Sequence, residues 1–323
     1  MDTSRRQTAL ALLAASLAGA PFSSWAQTAA QDQAGPPPPA AIEPPDPDAG
    51  PDTSVDTQTG SNKHMMAPVM INGQGPFQFL LDTGANFSCI SNRLAARLQL
   101  PPQASARVHT IAGVRERRIY LVEDLRLGDR TRKRVRVAAL PLPGYLDGVL
   151  GVDWLKGQRL VLDFKGKEML ITRSRTDESQ DKQVVVRARR RMGQLTIVDA
   201  DLSGERISAI LDSGAETTMC NAPLRELVRK SEQRKRLPAD EPRMVRFESI
   251  AGESFEGEFL FLPFLRLGGL HLGNVQVIHA DTHVFDLWKL KDQPALVLGM
   301  DLLTQFDLVA LDFGRSAVRF DFV

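Results

Sequence analysis

The sequence has few of the residues that form cross-links and metal sites. Two cysteines and five histidines among 323 residues are too few for a disulfide framework or an obvious metal cluster. Cys89 and Cys220 lie in different halves of the chain, and a bridge needs Cα atoms within about 7 Å, so we predict no disulfide. His279 and His283, with Asp281 between them, have a spacing that a metal could use, but two imidazoles alone favour a surface loop or core packing. We therefore expect no metal and no cofactor.

The sequence also lacks an excess of charge of either sign. Lysine and arginine number 40, aspartate and glutamate 39, and the net charge is +1. Such a balance gives no bulk attraction to nucleic acid, so no nucleic-acid partner is expected. Basic clusters at 130–136 and 187–191 are typical of solvated or edge-protecting strand faces, with an acidic partner as the alternative. The length is enough for about two domains.

Long apolar runs are absent except near the N-terminus. Arg5 and Arg6 precede an apolar run over 9–20, and Ser24-Trp25-Ala26 offers a cleavage site, so residues 1–26 are predicted to be a secretory signal. The run is short for a spanning helix, which needs about 20 apolar residues, and an uncleaved membrane anchor is the alternative. The Arg5-Arg6 pair also fits twin-arginine export, although Thr8 stands where such signals carry a large apolar residue. We expect an exported protein, periplasmic or secreted.

Residues 27–62 are rich in proline and in small and polar residues. Pro37-Pro38-Pro39 and Pro44-Pro45 are incompatible with helix or sheet interiors. We predict that this segment is a disordered tether, with a propeptide as the alternative.

One short pattern occurs twice in the remaining chain. An apolar run ends in Asp82-Thr83-Gly84-Ala85-Asn86, and 130 positions later another ends in Asp212-Ser213-Gly214-Ala215-Glu216. The apolar runs predict buried strands, each delivering a carboxyl group to a site with little water. A lone buried carboxylate is costly, so the two acids are expected to lie together.

Further landmarks repeat in the same order. Thr110-Ile111-Ala112-Gly113 matches Ser249-Ile250-Ala251-Gly252, and each tetrapeptide is expected at the tip of a hairpin. Three more pairs follow, and the offset between partners only grows, from 130 to 149. We infer an internal duplication with insertions in the second copy. The predicted units are lobe 1 at 63–172, a linker at 173–183 and lobe 2 at 184–323.

The repeated motif has a direct chemical interpretation. Two carboxyl groups within about 3 Å cannot both ionise at ordinary pH, so Asp82 and Asp212 are predicted to share a proton as a catalytic pair. One would activate a water as a general base, while the other would donate a proton to the carbonyl of the bond being cut. Thr83 and Ser213 are expected to lock the two loops by backbone hydrogen bonds. Gly84 and Gly214 would allow a tight turn close to the carboxylates.

These motifs resemble those of the aspartic proteases, closest to the retropepsin-like branch, over residues 64–323. The resemblance implies an all-β protein with two homologous β-barrel-like aspartic protease lobes, the acid protease fold, and a few short helices. It also implies a protein or peptide substrate in an inter-lobe cleft. The substrate would contact the residues after each Asp-hydroxyl-Gly and both hairpin tips, namely Ala85, Asn86, Ala215, Glu216, Ile111, Ala112, Gly113, Ile250, Ala251 and Gly252.

Two functional classes remain open from the sequence. The first is an exported endopeptidase, working as a monomer because both acids lie in one chain, with a membrane-proximal substrate as one option. The second is a non-catalytic pseudo-protease that binds a peptide in the same cleft. Two intact acids favour the first class, since a binding protein has no need to keep two desolvated carboxyl groups.

Overall fold

The computed structural model describes residues 10–11, 51–56, 58–59, 64–234 and 243–322. The fold is all-β with two lobes of the aspartic protease type, as predicted. In chain order the strands of lobe 1 and its flanks are β1 Leu10–Ala11, β2 Thr53–Asp56, β3 Gln58–Thr59, β4 Met65–Ile71, β5 Gln74–Leu81, β6 Cys89–Ser91, β7 Pro102–Thr110, β8 Gly113–Leu127, β9 Arg130–Leu140, β10 Gly148–Leu150, β11 Gln158–Asp163 and β12 Glu168–Arg173.

The second half repeats this arrangement. Its strands are β13 Gln183–Arg191, β14 Gln194–Leu202, β15 Glu205–Leu211, β16 Met219–Cys220, β17 Met244–Ser249, β18 Ser254–Leu267, β19 Leu270–His279, β20 Ala295–Leu298, β21 Leu308–Asp312 and β22 Ala317–Asp321. Residues 174–182 connect β12 to β13, while Arg173 and Gln183, assigned to the linker from the sequence, already belong to those strands.

The helices are few and short. They are α1 Asn92–Arg97, a 3-10 turn Val152–Leu155, α2 Ala222–Arg234, α3 His283–Leu287 and α4 Met300–Leu303. The Ser91 side chain caps α1 by accepting from the Leu94 N–H, as expected of serine at this position. The sequence over 222–237 predicts a longer helix; α2 covers this segment as far as Arg234, and residues 235–237 lie outside the described part of the chain. Within that part, no helix is long and apolar enough to span a bilayer.

In each lobe the strand that leads into the Asp motif, the motif strand, lies within a sheet and has a neighbouring strand on both sides. The lobe 1 sheet has the order β3-β4-β5-β10-β6-β9-β8-β7. In it β5 and β10 run parallel, and their paired residues, 79–81 and 148–150, are all buried, which explains why both stretches are apolar. In lobe 2 the equivalent strands β15 and β20 are parallel in the same way. Both motif strands therefore end inside the molecule.

Six strands at one end of a fourteen-stranded sheet join the lobes, in the order β13-β22-β21-β11-β12-β2, and we call this part the inter-lobe sheet; at β13 it continues into β14 of lobe 2. Antiparallel pairing of β11 with β21 lies at its centre, so the three strands of lobe 2 lie on one side and the three strands of lobe 1 on the other. On this pattern β2 of lobe 1 corresponds to β13 of lobe 2. The linked sheet fixes how the lobes face each other.

The predicted tether at 27–62 is wrong at its C-terminal end. Thr53–Asp56 forms β2, which pairs antiparallel with β12, and Gln58–Thr59 pairs with β4. Thr53 and Val55 are buried while Ser54 is exposed, a half-buried strand pattern too short to stand out among the prolines. Lobe 1 thus begins about ten residues earlier than predicted. Residues 27–50 lie outside the described part of the chain, as does the predicted signal apart from Leu10–Ala11, which pairs with β17.

Candidate active site

The structure brings Asp82 and Asp212 together at the junction of the lobes. Each follows the motif strand and stays tied to the strand beside it: the Asp82 N–H donates to Leu150 O at 2.9 Å and the Asp212 N–H to Leu298 O at 3.0 Å. Both aspartates are fully buried. The duplicated sequence has produced two equivalent strand ends that meet face to face.

Four hydrogen bonds lock the two loops across the lobe boundary. Thr83 Oγ1 donates to Leu211 O at 3.0 Å and accepts from the Ser213 N–H at 3.0 Å. Reciprocally, Ser213 Oγ donates to Leu81 O at 2.9 Å and accepts from the Thr83 N–H at 3.1 Å. The two hydroxyl groups lie where the sequence predicted them, and each uses both its donor and its acceptor capacity.

Backbone amides hold one oxygen of each carboxyl group. Asp82 Oδ1 accepts from the N–H groups of Gly84 at 2.8 Å and Ala85 at 3.0 Å, and Asp212 Oδ1 accepts from Gly214 at 2.7 Å. Oδ2 of each aspartate has no hydrogen-bond partner outside the pair among the described residues, and the two carboxyl groups are close enough to hydrogen-bond each other.

The surroundings make both carboxyl groups weaker acids than usual. Burial, then the charge of Asp212 and the hydrogen bond between the two side chains, raises the pKa of Asp82 well above its ordinary value. Burial also raises the pKa of Asp212 to about 6, against the opposing effect of its hydrogen bonds. One proton shared between the two is the state this geometry favours near neutral pH.

Gly84 and Gly214 are required by space. A Cβ atom on Gly84 would lie 2.1 Å from Asp212 Oδ2, and one on Gly214 would lie 2.3 Å from Asp82 Cγ. Each lobe thus presses bare backbone against the carboxyl group of the other. The sequence predicted the close approach, but not that it crosses between the lobes.

A second layer of polar residues supports each loop from behind, and the sequence analysis did not identify it. Ser88 Oγ donates to the carboxylate of the half-buried Asp153 and accepts from the Gly151 N–H at 3.2 Å. In lobe 2, Thr218 Oγ1 donates to Asp301 at 2.7 Å and accepts from the Gly299 N–H at 3.1 Å. The sequence does contain a signal for this layer: Asp153 and Asp301 each stand two residues after a glycine, Gly151 and Gly299, in matched segments of the two halves.

Both hairpin tips lie in the opposite lobe. Ile111, at the tip of the β7–β8 hairpin (flap 1), is buried in a cluster with Ala215 and Phe285 of lobe 2. Ile250, at the tip of the β17–β18 hairpin (flap 2), is buried in a cluster with Ala85 and Phe87 of lobe 1. Each flap tip therefore packs against a residue of the motif loop in the opposite lobe, Ala215 for flap 1 and Ala85 for flap 2.

Other predicted contact residues at the tips differ in exposure. Ala112 and Gly252 are exposed, Gly113 is half-buried and Ala251 is buried. Ile111 to Gly113 also form one wall of a cavity of about 1130 Å³ whose other walls are α2, α3 and the start of β18. Neither aspartate lines this cavity.

Flap 1 is fastened to flap 2 and to α3. Thr110 Oγ1 donates to Glu253 at 3.0 Å, and Arg115 lies 3.7 Å from the same carboxylate. His109 Nδ1 is 2.8 Å from His283 Nε2, and the two rings stack. His283 thus contacts flap 1, and no cluster of three potential metal ligands occurs among the described residues.

The two residues after each motif glycine are buried to the same degree in both lobes, but the contact that Asn86 makes with Gln194 is described for lobe 1. Ala85 and Ala215 are buried, and Asn86 and Glu216 are half-buried. The Asn86 side chain accepts a hydrogen bond from Gln194 Nε2, which also donates to Gly84 O at 3.1 Å. Gln194 comes from lobe 2 and was not identified from the sequence. Cys89 and Cys220 are buried free thiols.

A comparison with family models agrees with this geometry. The aspartyl protease model matches the chain twice, over residues 67–154 and 198–302. The matches cover more than half of the chain, so this protein belongs to the aspartyl protease family. No curated protein matches the chain. Each match contains one aspartate of the pair, as expected of a duplicated, two-lobed member.

Proposed function

We propose that this protein is an aspartic endopeptidase that hydrolyses peptide bonds of protein substrates with a water activated between Asp82 and Asp212. The observation that carries the proposal is the pair itself: two fully buried carboxyl groups lie within hydrogen-bonding reach of each other, and Oδ2 of each has no partner outside the pair among the described residues. A protein that only binds peptides would keep this arrangement at a cost in folding stability, since buried carboxyl groups destabilise a fold. No finding supports the alternative of a non-catalytic peptide-binding protein.

The two acids would divide the work according to their protons. Asp212, whose pKa is about 6, ionises first and acts as the general base toward water. Asp82, whose pKa is raised further, keeps its proton and donates it to the carbonyl oxygen of the scissile amide. The loop amides of Gly84, Ala85 and Gly214 hold Oδ1 of each acid so that the other oxygen stays directed at the reacting atoms.

Substrate access would require the flaps to open. An extended peptide then takes the place of Ile111 and Ile250 between the lobes, against Ala85, Ala215, Asn86 and Glu216. Because Asn86 and Glu216 differ, the two halves of the cleft would discriminate between the two sides of the scissile bond. One chain supplies both acids, so we propose a working monomer, exported to a periplasm or secreted, where a membrane-proximal protein is one candidate substrate.

The test is cleavage of a mixed peptide library by the chain starting at Gln27, between about pH 3 and 8. Asp82→Asn and Asp212→Asn should each keep the fold and abolish cleavage, because an amide can neither give nor accept the shared proton. The parent profile of kcat/KM should rise through about pH 6 as Asp212 ionises and fall when the second proton leaves. Cleavage that persists in either variant, with the fold verified by circular dichroism, would sink the proposal.

A further inference from the structure

His64 and Gln194 occupy equivalent positions in the two lobes. His64 directly precedes β4, and Gln194 begins β14, the corresponding strand of lobe 2. The strand registers agree, since Met66 pairs with Leu80 and Thr196 with Ile210, which places the two residues at the same step before the motif. Both side chains are buried, with 4% of His64 and none of Gln194 exposed.

Each of the two side chains crosses to the motif loop of the opposite lobe. Gln194 Nε2 donates to Gly84 O at 3.1 Å. His64 forms a hydrogen bond with the Gly214 backbone that stabilises the protonated ring, so the Gly214 carbonyl is the acceptor. Burial lowers the pKa of His64 to about 4, and the neutral ring has a single N–H to give.

The accepting carbonyls belong to the peptide groups that hold the acids. Gly84 O is on the peptide whose N–H, that of Ala85, donates to Asp82 Oδ1 at 3.0 Å. Gly214 O is on the peptide whose N–H, that of Ala215, donates to the Asp212 backbone O at 3.3 Å and also helps to lower the pKa of the Asp212 carboxyl group. A donor on the carbonyl side of a peptide polarises it and strengthens its N–H as a donor. Two chains of hydrogen bonds therefore run from one lobe to the acid of the other.

Packing alone does not account for these residues. His64 Nε2 and Gln194 Oε1 are buried acceptors that have no partner among the described residues. An apolar side chain of similar size would avoid that cost. The donor that each residue directs at the motif loop is what an apolar substitute would lose.

We propose that His64 and Gln194 are paired positioning residues, each fixing from its own lobe the peptide group that orients the catalytic acid of the other lobe. The inference rests on the proposed function and deepens it. It assigns to His64 the orientation of Asp212, and to Gln194 the orientation of Asp82 and of the Asn86 side chain.

The first test compares variants that remove the donor with one that keeps it. His64→Leu and Gln194→Leu should each lower kcat on the order of ten- to hundredfold, with KM within about twofold. His64→Gln places a donor of the Gln194 type in lobe 1 and should keep kcat within about threefold of the parent. Gln158→Leu, which removes a buried glutamine from the inter-lobe sheet, is the control expected to alter stability but not kcat.

The second test does not depend on cleavage. The ¹³C chemical shifts of the side-chain carboxyl carbons of Asp82 and Asp212, assigned through their Asn variants, report the titration of the pair. In His64→Leu the first ionisation should move to higher pH, because the carboxylate loses a strong amide donor, and in His64→Gln it should stay at the parental pH. This readout also decides the case if His64→Leu folds poorly, because Gln194→Leu must then move the second ionisation, that of Asp82, to higher pH.

The two proposals fail in different ways. An active parent whose kcat and titration are unchanged in both leucine variants overturns the positioning role and leaves the protease proposal standing. Equal loss in His64→Leu and His64→Gln also overturns it, because the donor would then be irrelevant. A parent that cleaves nothing removes the protease proposal, and the titration alone then decides whether the two residues position the acids.

Discussion

Gly84 and Gly214 bring the backbone of each lobe against the carboxyl group of the other. Their N–H groups hold their own lobe's aspartate, while the face without a side chain touches the opposite one. A single methyl group at this position would separate the acids. The shared proton therefore depends on two residues that have no side chain to contribute.

At this scale we expect Gly84→Ala to cost both stability and activity. Its Cβ would lie 2.1 Å from Asp212 Oδ2. Neither motif loop can move away without breaking the hydrogen bonds of Thr83 and Ser213 that join the two loops. Overpacking of this kind costs about 1–3 kcal/mol in unfolding free energy, and displacement of an acid by about 1 Å should cost on the order of a hundredfold in kcat. Urea unfolding and peptide turnover measure the two effects.

Gly273→Ala is the matched control, because nothing lies within 4 Å of its added methyl group. It should change the unfolding free energy by no more than about 0.5 kcal/mol and leave turnover at the parental level. Parental turnover in Gly84→Ala would show that the two loops do not approach as closely as they do here.

Residues differ in how far the sequence could predict them. Asp82, Thr83 and Gly84 carry a local signature because strand, turn and acid are adjacent in the chain. Gln194 carries none, since its contact with Gly84 joins residues 110 positions apart. Only the repeat offset of 130 would have aligned it with His64, and two different residue types at matched positions do not stand out.

At the scale of elements, the two flaps were predicted as hairpins because apolar alternation and an Ala-Gly tip are local features. Their crossing was not predicted, because the partners of Ile111 and Ile250 come from the opposite lobe. The flaps are also unequal. Flap 1 contacts α3 through His109 and His283, whereas flap 2 has no histidine over 244–256.

We expect flap 1 to open more readily in mild acid. In the closed flap the pKa of His109 is lowered, first by burial, then by the charge of His283 and that of Arg107 on its own strand. An open flap would restore the ordinary value near 6.5. The open form therefore takes up protons first, so closure is fully favoured above about pH 6.5 and weakens as the pH falls below it. Glu253, which holds Thr110 and lies near Arg115, is the acidic group facing this hairpin.

Hydrogen exchange at pH 7 and pH 5, corrected for intrinsic rates, measures this opening. Peptides over 107–115 should exchange faster at pH 5, while flap 2 peptides over 247–254 serve as the internal control. His109→Gln keeps a polar side chain without titrating in this range and should remove the difference. Equal protection of flap 1 at both pH values would contradict the role of the histidine pair.

At the scale of the whole molecule, the duplication was the most informative feature of the sequence. It predicted two lobes, their order and the meeting of the aspartates, because each follows from matched motifs along the chain. It did not predict the six-stranded inter-lobe sheet or β2, which is the lobe 1 counterpart of β13. Thr53–Asp56 contains a single large apolar residue, so its strand exists through pairing with β12 more than through its own pattern.

The inter-lobe sheet predicts where the chain can be shortened. Val55 is buried, Thr53 packs on the turn at Gly128, and both hold the edge of β12. A chain starting at His64 loses β2 and should be less stable by about 2–4 kcal/mol, mainly from the lost burial of Val55 and its neighbours. It also exposes the edge of β12 and should self-associate. A chain starting at Pro51 keeps β2 and should match one starting at Gln27 in both respects.

Urea unfolding and light scattering on the three chains measure stability and association. If the chain starting at His64 were as stable and monomeric as the longer two, β2 would be dispensable, and removal of residues up to 63 as a propeptide would be compatible with a finished fold. If only that chain is weakened, processing must stop before Thr53, because the strand that closes the inter-lobe sheet has to stay with lobe 1. The same comparison thus separates a tether ending near residue 50 from a propeptide ending near residue 63.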